Sequence, residues 1–355
     1  MTPVHRPRIV RIGQRLVGDG QPCYVIAEAG VNHEGDVGLA RKLVEAAAEA
    51  GADAVKFQTF RAEALASPAA EKAEYQKAAT GAAEGQRAML RRLELPPDAF
   101  RELMAHAGRC GIECLSTPFD PESARFLAGL DVAAFKVSSG DLTSLPLLRQ
   151  LAATGRPILL STGMADLGEV DEALAAIKAG GSSPVVVLHC VSSYPADPAA
   201  ANLRAMETMA HAFGVPVGFS DHTLGIEMAV AAVALGACVL EKHLTVDRGL
   251  PGPDHRASLE PAEFRAMVRA VRNVEAGLGD GLKVPHPSEA DVRRAARKSL
   301  VAARPVAAGA VLTAEDVGLQ RPGTGLPPRL LDLVLGRRAR REIPAGMLLA
   351  WSDLE

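Results

Sequence analysis

Charged and polar side chains recur at the ends of short apolar runs in this sequence, where core packing does not call for them. The run AVKFQTF (54–60) contains Lys56 and Gln58, which the two-residue period of a strand places on one face. The run AFKVSSG (134–140) contains Lys136. Because a lysine buried without an anionic partner is costly, we expect a functional role for both lysines.

Eight runs end in this way, although a single polar residue at a strand end is usually a turn or cap residue. Together they predict a ring of side chains around one small polar ligand. The ring contains Glu28, Asn32, His33, Lys56, Gln58, Ser116, Thr117, Lys136, Ser138, Ser139, Asp141, Ser161, Thr162, His189, Ser192, Tyr194, Ser220, Asp221, His222, Glu241, Lys242 and His243. Lysines supply point charge and hydroxyls supply directed donors, which suits a ligand carrying both a phosphate and a carboxylate, such as phosphoenolpyruvate.

Two histidines stand at the ends of consecutive runs. In a strand, His222 would lie on the same face as Ser220, and His243 on the same face as Glu241. An isolated histidine pair is more often hydrogen-bonded than metal-bound. Next to a carboxylate and a polar ring, however, two imidazoles predict a divalent metal with open positions for water and a substrate oxygen. Such a metal would act as a Lewis acid on an aldehyde.

The elements that must position these side chains alternate in type. Between residues 23 and 277, eight apolar runs alternate with amphipathic helical patterns, several of which end on glycine. Eight β-α repeats predict a (β/α)8 TIM barrel, whose active site forms at the carboxyl ends of the strands. A doubly wound sheet is the alternative, but its usual G-x-G-x-x-G after the first strand is absent. Residues 61–97 interrupt the pattern and predict either a functional lid or an ordinary surface excursion.

The chain divides into two predicted domains. Residues 1–280 form the barrel domain with a short amino-terminal extension (1–22), residues 281–297 form a linker, and residues 298–355 form a small β-rich domain. The small domain contains a faint internal repeat, 304–317 and 341–354, which aligns Gly309 with Gly346 and Asp316 with Asp353. Two such halves predict a pseudo-twofold unit.

The composition is that of a cytoplasmic enzyme. A net charge of −3 argues against nucleic acid or an anionic membrane as the main partner, and no apolar run is long enough to span a bilayer. The amino-terminal residues lack the apolar segment of a signal peptide. Five cysteines without a CxxC pair predict reduced, structural thiols.

The motifs IAEAGVNHEGD, GADAVKFQT, STPFD, FKVSSGD, STGM, LHCVSSYPA, FSDHTLG, EKHLTVDR and GPDHRASLEP follow one another over residues 24–260. In this order they resemble the nonulosonic (sialic) acid synthase family. The pattern KSLVA…QRPGTG…GR…I…G after residue 298 resembles the antifreeze-like (SAF) domain of those enzymes. The resemblance therefore covers almost the whole chain.

The resemblance implies a reaction and a set of site residues. Phosphoenolpyruvate attacks an open-chain N-acetylmannosamine-type aldehyde through C3, water adds at C2, and phosphate leaves by C–O cleavage. The implied roles are phosphoenolpyruvate binding by Lys56, Thr117, Lys136, Ser139, Ser161 and Ser220, sugar binding by Gln58, Tyr194, Asp254 and Arg321, manganese or magnesium binding by His222 and His243, and water activation or proton transfer by Glu28 and Glu241. The resemblance further implies a domain-swapped homodimer, in which Arg321 reaches the partner's barrel. Ser192 departs from the asparagine of some family members, which puts its contact in doubt.

Three other functions stay open at this point. The stretches LHCVSSYPADPAAANLRAM and HRASLEP look closer to neuraminate and legionaminate synthases than to pseudaminate synthases, the nearest alternative. A related keto-acid phosphate synthase or aldolase would need a second phosphate site and has no reason for the SAF tail. A non-catalytic sugar- or ice-binding protein would have no need for Lys56, Glu241 and the paired histidines.

Overall fold

A computed structural model describes residues 8–355, so the first seven residues of the predicted extension lie outside the described residues. The chain forms two compact units, Met1–Gly279 and Asp280–Glu355. The residues of the predicted linker, 281–297, therefore group with the second unit.

The first unit is a closed eight-stranded parallel barrel preceded by an antiparallel hairpin. The hairpin strands are β1 (Ile9–Ile12) and β2 (Arg15–Gly18). The barrel strands are β3 (Tyr24–Gly30), β4 (Ala54–Thr59), β5 (Glu113–Pro118), β6 (Phe135–Val137), β7 (Ile158–Ser161), β8 (Val185–Cys190), β9 (Val217–Asp221) and β10 (Val239–His243). Neighbours along the chain pair in parallel, and β10 pairs with β3 to close the ring, which confirms the predicted fold.

Helices separate the barrel strands. They are α1 (Val37–Glu49), α2 (Ala62–Leu65), α3 (Glu74–Thr80), α4 (Gln86–Leu93), α5 (Pro97–Arg109), α6 (Pro121–Gly129), α7 (Leu145–Ala152), α8 (Leu167–Gly180), α9 (Ala205–Phe213), α10 (Glu227–Ala234) and α11 (Pro261–Leu278). Capping residues fix several starts, as where the Asp36 carboxylate accepts the amides of Gly38 and Leu39 at α1. Among residues 8–355, no helix is long and apolar enough to cross a membrane.

Two apolar layers hold the barrel and leave one end free for chemistry. The larger layer lies between strands and helices and includes Phe57, Phe135 and Phe264. The smaller layer fills the amino end of the barrel, where Val10 and Ile12 of the hairpin join side chains such as Ile26. Because apolar residues fill this end, the polar interior residues are confined to the carboxyl end.

Residues 61–97, here called the roof segment, follow β4 and contain α2, α3 and α4. Met89 and Leu93 of α4 pack with Val31 and Phe60 in a small apolar cluster of their own. The buried Lys72 donates hydrogen bonds from Nζ to the Thr80 hydroxyl (2.9 Å), the Gly81 carbonyl (3.0 Å) and Glu84 (3.0 Å). The segment is therefore held by a specific core and a buried polar tie.

The second unit has its own apolar core, which includes Leu300, Leu312, Ile343 and Leu349. Its elements are α12 (Ala290–Ala296), the antiparallel pair β11 (Ser299–Ala302) and β12 (Val317–Gln320), and α13 (Leu331–Val334).

The predicted internal repeat of the second unit corresponds to equivalent contacts in its two halves. Gly309 and Gly346 have φ values of +78° and +79°. Arg304 pairs with Asp316 at 2.7 Å, and Arg341 pairs with Asp353 at 2.7 Å.

Candidate active site

A cavity of about 440 Å³ opens at the carboxyl end of the barrel, a size ordinary for a small-molecule site. Eight members of the wider ring predicted from the sequence do not line it: Asn32, His33, Ser116, Asp141, Thr162, His189, Asp221 and Lys242. Of the residues to which the resemblance gave a role, all but one line it: Glu28, Lys56, Gln58, Thr117, Lys136, Ser139, Ser161, Tyr194, Ser220, His222, Glu241, His243 and Asp254. The exception is Arg321, which lies after β12 in the second unit and is exposed.

The floor of the cavity is a buried cluster of two lysines and two glutamates, namely Lys56, Lys136, Glu28 and Glu241, each at most 4% exposed. Lys56 Nζ lies 2.6 Å from Glu28 Oε2 and 3.8 Å from Glu241 Oε1, and Lys136 Nζ lies 3.2 Å from Glu241 Oε1. Lys56 also donates to the Thr117 hydroxyl at 3.0 Å. The parallel register explains the central contact, because it sets Glu28 of β3 beside Lys56 of β4.

The two glutamates of the floor differ in pKa. Burial raises the pKa of Glu28 to about 7, because Lys56 offsets only part of the desolvation. Burial acts on Glu241 in the same direction, but Lys136 and Lys56 outweigh it and lower the pKa to about 2. One carboxyl of the pair therefore exchanges protons near neutral pH, while the other stays ionised.

Small and hydroxyl-bearing residues line the cavity beside the floor, in a part here called the hydroxyl recess. The Ser139 hydroxyl accepts the Gly163 amide N–H at 2.9 Å and lies 3.1 Å from Cys190 Sγ. A side chain at position 163 would collide with the Ser192 hydroxyl and come within 2.8 Å of that of Ser139. The nearby Ser161 hydroxyl is buried and has no hydrogen-bond partner among residues 8–355. An unpaired hydroxyl donor beside the two lysines of the floor fits a phosphate or a carboxylate.

His222 and His243 lie at adjacent strand ends with ring centroids 5.5 Å apart. His222 Nδ1 must donate to the Val191 carbonyl, 2.8 Å away, which leaves its Nε2 as a lone-pair donor. His243 Nδ1 is buried, lies 3.9 Å from Asp254 Oδ2 and has no hydrogen bond within the described part of the chain. Burial lowers the pKa of His222 to about 4, and burial together with His222 lowers the pKa of His243 well below its usual value, so both rings are neutral at pH 7.

Neutral imidazoles with free lone pairs fit a divalent metal. Among residues 8–355, no group of three or more histidine, cysteine or acidic residues is arranged to hold one. The metal would therefore rest on two imidazoles and take its remaining ligands from water and substrate oxygens.

One set of cavity residues was missed by the sequence reasoning. Tyr75 of the roof segment stacks on Tyr194 with ring centroids 5.0 Å apart, and Tyr194 in turn lies 4.3 Å from His222. Gln76, Gln86 and Met89 of the same segment also line the cavity. The usable signal was the roof segment itself, a long connection at the carboxyl end of a barrel strand, which is where ligand-covering loops occur.

Comparison with known proteins gives two family matches. The NeuB family model matches residues 43–283, and the SAF domain model matches residues 297–355. The chain is 45% identical to the N,N'-diacetyllegionaminic acid synthase of Legionella pneumophila, over 95% of this chain and 96% of that protein. It is 33% identical to a pseudaminic acid synthase of Campylobacter jejuni, over 93% of this chain and 96% of that protein.

A solved structure agrees with these sequence matches. The N-acetylneuraminic acid synthetase of Leptospira borgpetersenii superposes with a TM-score of 0.72 at 34% identity, covering 81% of this chain and 96% of that one.

Proposed function

Because the chain belongs to the NeuB family, we propose that it synthesises a nonulosonic acid, a nine-carbon keto-sugar acid. It joins phosphoenolpyruvate to an open-chain N-acetylmannosamine-type aldehyde, consumes water and releases phosphate. The product is N-acetylneuraminate or N,N'-diacetyllegionaminate, and the identity to a legionaminic acid synthase exceeds that to a pseudaminic acid synthase. The observation that carries the proposal is the buried floor of two lysines and two glutamates beside the hydroxyl recess.

Phosphoenolpyruvate has a site for each of its charged groups. Lys56 and Lys136 supply buried positive charge, and Thr117, Ser139, Ser161 and Ser220 supply hydroxyl donors around it. Before the substrate binds, the lysines are neutralised by Glu28 and Glu241. Binding of the anion is therefore favoured when Glu28, with its raised pKa, takes up a proton.

The reaction requires protons to be moved at defined atoms. As C3 of phosphoenolpyruvate bonds to the aldehyde carbon, the aldehyde oxygen gains a proton and water adds at C2. The water loses both of its protons as the C2–O bond to phosphate breaks and the keto group forms. Glu28, buried with a pKa of about 7, is suited to take one of these protons from the water and to give a proton to the aldehyde oxygen.

His222 and His243 are the residues that would hold a manganese or magnesium ion, as their free nitrogens fit. When bound, the metal supplies Lewis-acid polarisation of the aldehyde oxygen. Tyr194 packs against His222 with the two rings tilted by 40°, contacts His243 edge to face with centroids 5.7 Å apart, and thereby orients both rings. Gln58, which donates to Glu28 at 3.3 Å, and Asp254 lie where they can hold the acceptor's hydroxyl groups.

The cavity distinguishes this function from that of a synthase acting on a phosphorylated sugar. The described residues that line it include two lysines, both in the floor, and no arginine. A phosphorylated acceptor would need a second cationic site, which the described residues do not supply within the cavity. The cavity lining contributed by one subunit therefore favours an unphosphorylated sugar. A non-catalytic sugar-binding role does not explain why two lysines and two glutamates are buried in the floor.

The proposal extends to assembly and location. We place the protein in the cytoplasm, where thiols stay reduced, because all five cysteines lie in the described part of the chain and none forms a disulfide. We also propose a homodimer in which Arg321 of each subunit reaches the acceptor in its partner's barrel. An exposed position after β12 leaves this arginine accessible for such a role.

The proposal is tested by incubating the purified protein with phosphoenolpyruvate, Mn²⁺ and one of four aldehydes. These are N-acetylmannosamine, diacetamido-trideoxymannose, its altrose isomer and arabinose 5-phosphate. We expect phosphate release and a product of the summed mass with at least one of the first two. Turnover with arabinose 5-phosphate alone would refute the proposal, and turnover with the altrose isomer alone would favour pseudaminate synthesis.

A further inference from the structure

The roof segment and the floor of the cavity differ in charge. The floor is built from four charged side chains, whereas the roof presents Leu65, Tyr75, Gln76, Gln86, Met89 and Leu90 to the cavity. None of these six is charged. A phosphate or carboxylate is therefore held at the floor, and the roof contacts the neutral part of the bound molecules.

Two carboxamides dominate the polar surface of the roof. The Gln76 amide nitrogen donates to the Tyr75 hydroxyl at 3.3 Å, while its oxygen accepts the Ala73 backbone amide at 3.0 Å. These two contacts fix the orientation of Gln76. Gln86 donates to the Gln76 oxygen at 3.4 Å, and its own carbonyl oxygen accepts no hydrogen bond from residues 8–355. The hydrogen-bonding groups of the roof that stay free include the Gln86 oxygen and the Tyr75 hydroxyl proton, together with the second amide N–H of each glutamine.

The apolar residues complete a recess around these polar groups. Met89 is 1% exposed and fixed in the apolar cluster with Val31 and Phe60. Leu65 and Leu90 pack against the same cluster from partly buried positions. The roof therefore places an acceptor, the Gln86 oxygen, and a donor, the Tyr75 hydroxyl, next to a fixed apolar surface. An amide group can bind to both.

We propose that the roof binds the acetamido group of the acceptor that lies farther from the aldehyde, and so selects a diacetamido sugar over a monoacetamido one. The methyl group packs on Leu65, Met89 and Leu90. The amide N–H donates to Gln86, and the carbonyl accepts from Tyr75. This inference rests on the proposed function, which places the aldehyde near His222 and His243.

The ring stack supports the orientation of the acceptor. Tyr194 lies between His222 and Tyr75, so the roof lies one aromatic ring beyond the imidazole pair. An acceptor whose aldehyde lies near the imidazoles directs its far carbons toward Tyr75 and Gln86. A hydroxyl in place of the acetamido group would leave the apolar wall uncovered and one polar group unpaired.

The test compares kcat/KM for diacetamido-trideoxymannose and N-acetylmannosamine in the full-length protein with phosphoenolpyruvate and Mn²⁺. We expect the wild type to prefer the diacetamido sugar. Gln86→Leu should lower kcat/KM for that sugar roughly 10- to 100-fold, through KM, the range expected when a buried amide N–H loses its hydrogen-bond partner. The ratio of kcat/KM for the diacetamido sugar to that for N-acetylmannosamine should fall with it, while the KM for phosphoenolpyruvate, which is bound at the floor, stays within about twofold.

Two further variants make the test decisive. Tyr75→Phe removes a single oxygen and should shift the same ratio in the same direction, which decides the matter if Gln86→Leu does not fold. Glu71→Gln, on an exposed side chain of the same segment, should leave the ratio unchanged. An unchanged ratio in both Gln86→Leu and Tyr75→Phe overturns the inference alone. A wild type that releases no phosphate with either sugar overturns the proposed function as well.

Discussion

Glu28 and Glu241 lie in one buried cluster, yet burial and charge shift their pKa values in opposite directions. The difference arises from the lysines, because Glu28 contacts Lys56 alone, whereas Glu241 lies near both Lys136 and Lys56. A general acid–base works best when its pKa is close to the working pH. We therefore infer that Glu28 transfers protons and that Glu241 holds the two lysines in place.

Replacement of Glu28 by glutamine tests this assignment. The carboxamide keeps the shape of the carboxylate and can still accept from Lys56, but it cannot exchange a proton. We expect kcat to fall by roughly 10²- to 10⁴-fold, with a small change in KM for phosphoenolpyruvate. Glu172→Gln, on the exposed face of α8, is the matched control and should leave kcat unchanged. A kcat within about threefold of wild type would exclude Glu28 as the proton carrier.

Gly163 is expected to be essential for the hydroxyl recess. Gly163→Ala would push against the hydroxyls of Ser139 and Ser192, and such overpacking typically costs about 1–3 kcal/mol of stability. We expect KM for phosphoenolpyruvate to rise at least roughly tenfold, because the methyl group displaces the hydroxyls of Ser139 and Ser192, which line the cavity. The control is Gly108→Ala in α5, where an added Cβ meets no atom within 4 Å. Equal KM values for both variants would show that the anion binds elsewhere.

The histidine pair predicts metal binding that is measurable without turnover. His243→Gln should weaken Mn²⁺ binding, followed by calorimetry, by roughly 10- to 100-fold or more, because one of two protein ligands is lost. His106→Gln is the control, since His106 lies on α5 and contacts Glu45 at 3.1 Å. Unchanged Mn²⁺ affinity in the His243 variant would rule out the imidazole site.

At the scale of elements, the roof segment depends on one buried lysine. Lys72 joins Thr80, Gly81 and Glu84, and Glu84 also pairs with Arg92 of α4. These contacts tie the loop between α3 and α4 to the stretch that precedes α3. The positions of Tyr75 and Gln86 in the cavity therefore depend on a residue that does not line it.

Lys72→Met should loosen the roof while leaving the barrel intact. Loss of charge-assisted hydrogen bonds should lower the local free energy of opening by about 1–3 kcal/mol and speed amide exchange over residues 72–86. KM for the acceptor should rise more than KM for phosphoenolpyruvate. Lys77→Met removes only exposed pairs with Glu71 and Glu74 and should change neither quantity. Equal exchange rates in the two variants would contradict the proposed tie.

The barrel and its floor could be predicted from the sequence for a physical reason. Strand periodicity assigns Lys56 and Gln58 to one face, and closure of the barrel brings the carboxyl ends of all strands together. The roof residues could not be predicted in this way, because Tyr75 and Gln86 lie on short helices whose direction is set by tertiary contacts such as the Lys72 tie. Likewise β6 is only three residues long, and a 3-10 helix at Ser139–Asp141 follows it where the sequence suggested a longer apolar run.

At the scale of the whole molecule, each of the two units carries an apolar core of its own. Each unit therefore has the internal packing of a folded body. The barrel supplies the whole cavity described above, so the second unit needs a separate explanation for its presence. The domain-swapped homodimer proposed here provides one, because it gives Arg321 a role in the partner's site.

Complementation between two inactive variants tests that exchange. Glu28→Gln changes the barrel of one subunit, and Arg321→Ala changes the second unit of the other. Each variant alone should be nearly inactive. If the second units are exchanged between subunits, a mixed dimer has two different sites. One site combines both substitutions, and the other joins the unsubstituted barrel to the unsubstituted second unit and is intact. Random assembly after co-expression makes about half of the dimers mixed, so activity should recover to about a quarter of the wild type. If each tail serves its own barrel, no intact site can form and the co-expressed sample stays as inactive as its parents.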